Sequence, residues 1–217
     1  MKKRFSLLFI MGTLTVSLSM AQTLTNPPEL AASDAKLAVA VDSLVQQKCA
    51  HDDFSGAVLI AKQGRVVVES VCGEASKRYH VKNNLDTKFN IASAGKMFTA
   101  IAIAQLVETG KVSYNDKVSK FVDASWLPAK VTNQLTIAQL LNHTSGLPEF
   151  LNTSNARNRS RALYRELVDM KPLLDGISPA FQPGTRYAYS NTGYLLLGVI
   201  IERASGENYF DYVRKHI

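Results

Sequence analysis

The sequence is poor in the residues that build metal centres and disulfide frameworks. Its 217 residues include two cysteines, Cys49 and Cys72, and four histidines. The cysteine spacing fits no zinc-site pattern. Internal repeats and low-complexity tracts are also lacking, which excludes a repeat protein. No G-x-S-x-G motif occurs, which argues against the nucleophile elbow of the α/β-hydrolases.

Only one long apolar run occurs, and it lies at the N-terminus. Three basic residues at positions 2–4 precede an apolar segment over 5–20, and small residues close it at Ala21. This layout is typical of a secretory signal peptide, so we expect residues 1–21 to be removed and the protein to be secreted into the periplasm. The run is shorter than the roughly 20 apolar residues of a membrane span. Gln22 is not a cysteine that could carry lipid, so no stable membrane anchor is expected.

A concentrated basic patch is also lacking. The formal net charge of +7 falls to +4 when the three basic residues at positions 2–4 are removed. The remaining Lys and Arg residues are scattered along the chain, whereas nucleic-acid-binding proteins usually show a patch or a stripe. Nucleic acid is therefore set aside as a partner.

The first part of the mature chain is predicted to combine a helix with a hairpin. Apolar residues recur at helical spacing over 31–48 and predict an amphipathic helix. Two β-rich runs, 57–62 and 66–72, flank Gln63-Gly64 and predict a β-hairpin. In this register Cys72 faces Ser55, close in sequence to Cys49. The two cysteines are thus either separate buried thiols or a disulfide bridge.

The second part is predicted to be mostly helical. A helix that is apolar on nearly every side, and is therefore expected to be buried, begins at Ser93 and ends at Gly110, a residue that suits a left-handed C-cap. Thr136 and Gln139 form a capping box at the start of another helix. A third apolar helix closes at Gly206.

The end of the sequence lacks the signals that usually stop a helix. Residues 208–217 have apolar side chains at helical spacing, with no Gly, Asn or Pro after them. Only one hairpin is predicted, and an isolated two-stranded sheet is marginal in water. We therefore expect residues 22–217 to be the N-terminal part of an incomplete domain.

The pattern Ser-x-x-Lys occurs at Ser93 and Lys96, at the start of the predicted apolar helix. Residues three apart share a helix face, so the lysine amine can reach the hydroxyl. The positive end of the helix dipole suits an oxyanion, and apolar surroundings favour an uncharged amine that accepts a proton. In the alternative, Ser93 only caps the helix and Lys96 extends to solvent. Ser33 and Lys36 match the pattern too, without a reactive companion.

A Tyr-x-Asn sequence, Tyr189-Ser190-Asn191, lies before the third apolar helix. A tyrosine beside a cation can pass protons, and an asparagine can hold a lysine or an amide in place. In the alternative, Tyr187, Tyr189 and Tyr194 are packing aromatic residues beside an asparagine that caps the helix.

Three blocks of the sequence together resemble a known superfamily: FNIASAGKMFTAIAIAQLVETGKVS, LTIAQLLNHTSGLPEF and PGTRYAYSNTGYLLLGVIIE. They are similar, in order and spacing, to the penicillin-recognising serine hydrolases, which include class C β-lactamases, DD-peptidases and related esterases. Ser-x-x-K is a signature of that group. The resemblance runs from about Ala50 to Ile217.

The resemblance implies an α/β fold of the α+β type. It consists of an antiparallel sheet flanked by helices plus a mostly helical domain, with only the N-terminal hairpin of the sheet in this chain. It further implies that Ser93 is the acylated nucleophile and that Lys96 and Tyr189 handle protons. Asn191 would orient Lys96 and bind the substrate, a β-lactam, a D-amino peptide or an ester. No metal or cofactor is implied.

The sequence departs from the superfamily pattern in its third motif. No Lys- or His-x-Gly strand follows Asn191, and Lys62-Gln63-Gly64 lies in the predicted hairpin turn. Gly95 stands where many relatives carry a bulkier residue. We therefore expect negligible turnover from the 217-residue chain itself, which leaves a penicillin-binding module without turnover, or an inactive fragment, as alternatives.

His143 has no catalytic role in the superfamily pattern, and the other three histidines are expected to be surface or packing residues.

Overall fold

The computed structural model describes residues 31–158 and 160–217, so the predicted signal peptide lies outside the described residues. The chain divides into two compact units, Met1–Phe89 and Asn90–Ile217. Helices and small antiparallel sheets give the mixed α/β architecture that the sequence predicted. Within the described residues, no helix is both long enough and apolar enough to cross a bilayer.

In its described part, from residue 31 onward, the first unit contains one α-helix and two small antiparallel sheets. Its elements are α1 (Ala32–Ala50), β1 (Gly56–Lys62), β2 (Arg65–Cys72), β3 (Glu74–Ser76) and β4 (Val81–Lys82). Helix α1 packs against β2, and the helix and hairpin predictions are confirmed. The pairing of β3 with β4 was not predicted. In the hairpin turn, Gln63 and Gly64 have φ values of 51° and 75°, as a type I′ turn requires.

The register of the hairpin differs by one residue from the predicted one. A bulge follows Ile60, which pairs with Val68. Beyond the bulge Cys72 lies opposite Gly56, so the predicted pairing with Ser55 is wrong. A β-bulge places one extra residue on one strand, which shifts the register beyond it by one residue and increases the local twist.

The two cysteines form a disulfide that ties the end of α1 to the end of β2. The Cα atoms of Cys49 and Cys72 are 6.2 Å apart, within the ordinary range for a bridge. The predicted apolar face of α1 is only partly used. Val45 is buried, whereas the side chains of Leu37 and Leu44 are exposed.

The second unit is helical. Its α-helices are α2 (Lys96–Glu108), α3 (Ala129–Thr132), α4 (Ile137–Leu141), α5 (Ser154–Arg157), α6 (Asn191–Ser205) and α7 (Tyr209–His216). Short 3₁₀ segments occur in both units, at Lys77–Tyr79, Ala92–Gly95, Val118–Lys120, Phe150–Asn152, Arg161–Leu163 and Leu167–Leu174. The predicted capping box of Thr136 and Gln139 starts α4, and Gly206 ends α6 with a φ of 79°.

Helix α6 is the centre of the hydrophobic core of this unit and packs against α2, α4 and α7. Leu196, Leu197 and Ile200 of this helix are fully buried. Helix α2 contributes one buried face, whereas Met97 is 55% and Ile101 is 42% exposed. The prediction that α2 is buried on nearly every side is therefore wrong. The packing of α2 against α6 brings residues near the start of both helices into one site.

Candidate active site

Ser93 lies in the 3₁₀ turn Ala92–Gly95, which leads directly into α2. The Asn90 side chain accepts a hydrogen bond from the Ala92 N–H at 2.8 Å and shapes the entry to this turn. Ala92 itself has a φ of 48°, a left-handed conformation that costs a non-glycine residue about 1–2 kcal/mol. Such conformations are concentrated at functional sites. The prediction placed Ser93 in the helix proper, but its exposed hydroxyl still lies one turn before Lys96.

Lys96, the first residue of α2, is half-buried and turned toward two oxygens. Its Nζ donates to Ser93 Oγ at 3.2 Å and to Asn191 Oδ1 at 2.5 Å. The alternative in which Lys96 simply extends into solvent therefore does not describe the structure. The amine stands 4.9 Å from the centre of the Tyr189 ring, within reach of a cation–π interaction.

Tyr189 completes a close group with Ser93 and Lys96. Its Oη lies 2.6 Å from Ser93 Oγ, a distance across which a proton can pass. The pKa of the Tyr189 phenol lies below its ordinary value of 10.0, first because it interacts with Lys96 and second because it hydrogen-bonds with Ser93. The phenol is thus a stronger acid than a free tyrosine, and its conjugate base is easier to form.

Asn191 is the first residue of α6. The N-cap is Ser190, whose Oγ accepts from the Gly193 N–H at 3.3 Å, so the alternative in which the asparagine caps the helix does not describe the structure. The Asn191 side chain instead faces the site. Its Oδ1 accepts from Lys96 and, at 3.3 Å, from the Tyr189 hydroxyl. All four predicted site residues therefore meet in the structure.

Glu149 also belongs to this cluster, although no pattern in the sequence predicted it. Its Oε2 accepts hydrogen bonds from the backbone N–H of Asn191 at 2.9 Å and from Asn191 Nδ2 at 2.7 Å. The residue follows Pro148, just before the 3₁₀ segment Phe150–Asn152. A glutamate in a loop has no periodic pattern that would single it out.

His143 supports the backbone beside Tyr189. Its Nδ1 accepts from the Ser190 N–H at 3.2 Å. Its ring centre lies 4.6 Å from that of Tyr189 and 5.0 Å from that of Tyr194. Burial, and then the charge of Lys96, hold the pKa of His143 below its ordinary value of 6.5. The imidazole is thus kept neutral and packs between aromatic rings.

The chemistry of the cluster depends on a hydroxyl, an amine, a phenol and an amide. Within the described residues, no group of three or more His, Cys, Asp or Glu side chains could hold a metal ion. A serine hydroxyl beside an amine and an acidic phenol is an arrangement for nucleophilic catalysis.

The chain has a β-lactamase-like fold. The sequence profile of the family described as Beta-lactamase matches residues 41–217, and the chain belongs to that family. Over 168 residues the chain is 39% identical to Penicillin-binding protein 4* of Bacillus subtilis (strain 168). This match covers 76% of the chain and 36% of that protein. The chain thus spans about a third of the length of the curated relatives it matches.

Solved structures show the same fold. A penicillin binding protein from Bacillus halodurans is 33% identical, with a TM-score of 0.67 over 78% of this chain and 51% of that one. A D-stereospecific amidohydrolase from Streptomyces sp. is 27% identical, with a TM-score of 0.65 over 82% of this chain and 53% of that one. The chain therefore spans about half of these structures.

Proposed function

We propose that the whole protein is a serine hydrolase that attacks an ester, amide or β-lactam carbonyl and forms an acyl-enzyme on Ser93. The observation that carries the proposal is the position of Ser93 Oγ, 2.6 Å from Tyr189 Oη and 3.2 Å from Lys96 Nζ. The distances are those of a nucleophile in contact with its proton acceptor.

In the first step, Tyr189 as the phenolate takes the hydroxyl proton of Ser93 while Oγ attacks the carbonyl carbon. The π electrons of the carbonyl move to its oxygen and a tetrahedral intermediate forms. When the intermediate collapses, the bond to the leaving group breaks and the leaving group receives the proton from Tyr189. Lys96 lowers the pKa of the Tyr189 phenol and so stabilises the phenolate. The product of this step is an ester of Ser93.

In the second step, water attacks the carbonyl carbon of the Ser93 ester. Tyr189 accepts the proton of the water molecule and returns it to Oγ as the bond between Ser93 and the acyl group breaks. The carboxylic acid product leaves and the starting hydroxyl is restored. Asn191 holds Lys96 through both steps because its amide oxygen accepts from Nζ.

The names of the relatives favour a second candidate function. Penicillin-binding protein 4* and the Bacillus halodurans protein are named for penicillin binding, whereas the Streptomyces protein is named for amide hydrolysis. A penicillin-binding protein that performs only the first step would retain the acyl group. The two candidates thus share the acylation of Ser93 and differ in the second step.

Labelling with a fluorescent penicillin and a fluorophosphonate tests the proposal on the protein produced from its complete gene. We expect a covalent adduct at Ser93, located by peptide mass spectrometry, and loss of labelling in Ser93→Ala. Ser33→Ala is the matched control, since Ser33 and Lys36 repeat the Ser-x-x-Lys spacing. Loss of the label over time with release of acid supports the hydrolase, and a permanent label supports the binding protein. An unlabelled Ser93 would refute both.

We also propose that the protein is exported to the periplasm. The Cys49–Cys72 disulfide supports this, because such bridges persist in oxidising compartments. Cell fractionation and N-terminal sequencing test it. The expected result is a periplasmic protein that starts at Gln22, and a cytoplasmic protein that retains Met1 would contradict it.

A further inference from the structure

The carboxylate of Glu149 and the amine of Lys96 contact opposite ends of one amide group. Glu149 Oε2 accepts from Asn191 Nδ2 at 2.7 Å. Lys96 Nζ donates to Asn191 Oδ1 at 2.5 Å. The three residues form a continuous chain of hydrogen bonds that ends at Ser93 Oγ, which also accepts from Lys96.

The two contacts together select one of the two orientations of the amide. A carboxylate only accepts hydrogen bonds and an ammonium group only donates them. Glu149 therefore requires the NH₂ end of Asn191, and Lys96 requires the oxygen end. A rotation of the amide by 180° would set oxygen against oxygen at Glu149 and N–H against N–H at Lys96. Both contacts would then be repulsive, so the observed orientation is strongly preferred.

The carboxylate of Glu149 is itself fixed by its surroundings. Its other oxygen, Oε1, accepts from the Leu151 N–H at 3.0 Å, and Oε2 also accepts from the backbone N–H of Asn191 at 2.9 Å. The neighbouring Thr192 ties the same loop to α6, since its Oγ1 donates to the Pro148 carbonyl at 2.6 Å and accepts from the Phe150 N–H at 3.1 Å. Glu149 is thus held between two backbone segments.

We propose that Glu149 is a positioning residue, which fixes the Asn191 amide with its oxygen toward Lys96 and thereby holds the amine against Ser93. The inference rests on the proposed function, because it concerns how the acylation of Ser93 is organised. Glu149 has no contact with the reacting oxygen and acts through Asn191. Without it the amide can rotate, its NH₂ group then faces the amine, and Lys96 is displaced from the nucleophile.

The first test is Glu149→Gln in the protein produced from its complete gene. The amide keeps the size of the side chain but supplies one acceptor where the carboxylate supplies two. We expect the rate constant of acylation by a fluorescent penicillin to fall by about 10–100-fold, the scale seen when a group that orients a functional side chain is removed. The dissociation constant of the non-covalent complex should stay within about threefold, because lost positioning affects the reacting step and not binding.

The chain offers a matched control at the other end of α6. Glu202 Oε1 accepts from Asn208 Nδ2 at 3.4 Å and from the Tyr209 N–H at 3.0 Å, so it also bonds an asparagine amide and a backbone N–H. It stands eleven residues along the helix from Asn191, about 16 Å at 1.5 Å per residue. Glu202→Gln should affect the melting temperature as Glu149→Gln does and leave the acylation rate unchanged.

A second pair of variants tests the orientation directly. Asn191→Asp places a carboxylate against that of Glu149, and acylation should slow. Adding Glu149→Gln to that variant supplies an NH₂ donor to the new carboxylate and keeps an oxygen toward Lys96. The double variant should therefore acylate at least about tenfold faster than Asn191→Asp alone. A purely structural role of Glu149 predicts no such rescue, because both substitutions would then only remove stabilising contacts.

The outcomes separate this inference from the proposed function. An unlabelled Ser93 in the unsubstituted protein means that the proposed function has failed. Labelling of that protein together with acylation of Glu149→Gln within about threefold of its rate overturns the role of Glu149 alone. If Glu149→Gln does not fold, the rescue of Asn191→Asp decides, and a double variant no faster than the single one overturns the inference.

Discussion

Replacing Tyr189 by phenylalanine removes one oxygen atom from the candidate site and leaves the aromatic ring. That oxygen lies 2.6 Å from Ser93 Oγ, and its pKa is lowered by Lys96 and Ser93. A side chain that transfers protons contributes about 10²–10⁴-fold to the rate. At 1.36 kcal/mol for each tenfold change, Tyr189→Phe should raise the acylation barrier by about 2.7–5.4 kcal/mol.

The same substitution should affect folding much less. One hydrogen bond contributes about 0.5–1.5 kcal/mol to stability, and Tyr189 is 44% exposed, which places it at the lower end of that range. The ring contact with His143 is unaffected. The rise in the acylation barrier should thus exceed by several kcal/mol any fall in the free energy of unfolding.

Stopped-flow acylation with a chromogenic ester or β-lactam, together with urea unfolding, measures both quantities. The control is Tyr187→Phe, which removes the same atom two residues earlier from a ring that is 67% exposed and touches His143 edge-on. We expect the control to acylate at the unsubstituted rate. If Tyr189→Phe also retains that rate within about threefold, the phenol is not the proton acceptor and the proposed mechanism is refuted.

The further predictions concern stability. Replacing both Cys49 and Cys72 by alanine, which opens a loop with a sequence separation of 23, should cost about 3 kcal/mol in urea unfolding. Gly146→Ala should cost about 2–4 kcal/mol, since φ is +75° and the new Cβ would lie 2.6 Å from a carbonyl oxygen. Gly176→Ala, with a φ of +73° and open space, should cost only about 1–2 kcal/mol. The pKa of His143 is lowered in the folded protein, so the neutral imidazole contributes its full stability at a pH above 6.5, the ordinary pKa. This contribution is lost as the pH falls through the lowered pKa of the folded protein. The melting temperature should therefore fall less from about pH 7.5 to pH 5 in His143→Asn, since asparagine tolerates the φ of +57°; an equal fall would contradict this.

The local part of the site could be predicted because it depends on the geometry of a single helical turn. Ser93 and Lys96 are three residues apart, and this spacing predicted that the amine reaches the hydroxyl. In the structure Lys96 Nζ lies 3.2 Å from Ser93 Oγ. Tyr189 and Asn191 are almost one hundred residues away, and the pattern of apolar residues does not say which helices pack together. They were assigned by resemblance to the superfamily, and their contacts appear only in the folded chain.

The register of the hairpin could not be predicted because the sequence does not alternate there. Val66, Val67 and Val68 follow one another, so either face of β2 can be the apolar one. Register is specified strongly only where apolar and polar residues alternate. The bulge after Ile60 shifts the register within this run of valines. As a result, the predicted partner of Cys72 was wrong by one residue, although a disulfide with Cys49 was among the alternatives.

Glu149 could not be predicted for a different physical reason. Its effect depends on a hydrogen bond to Asn191, which is 42 residues away in sequence. A single acidic residue in a loop is ordinary in any globular protein, and its sequence neighbours do not indicate a partner. Only the position of the loop beside the start of α6 gives the carboxylate its significance.

The precision of the site comes from apolar contacts, whereas its chemistry comes from polar groups. Ser93 and Lys96 stand at the start of α2 and Asn191 at the start of α6, and the two helices pack against each other. Ile103 of α2 and Ile200 of α6 are fully buried in the same core. A misplacement of about 1 Å can cost about 10²-fold in rate, so the hydrogen bonds of 2.5–3.2 Å between these residues require that the helices keep a fixed separation. The core between the helices is therefore as necessary to the proposed acylation as the hydroxyl that carries it out.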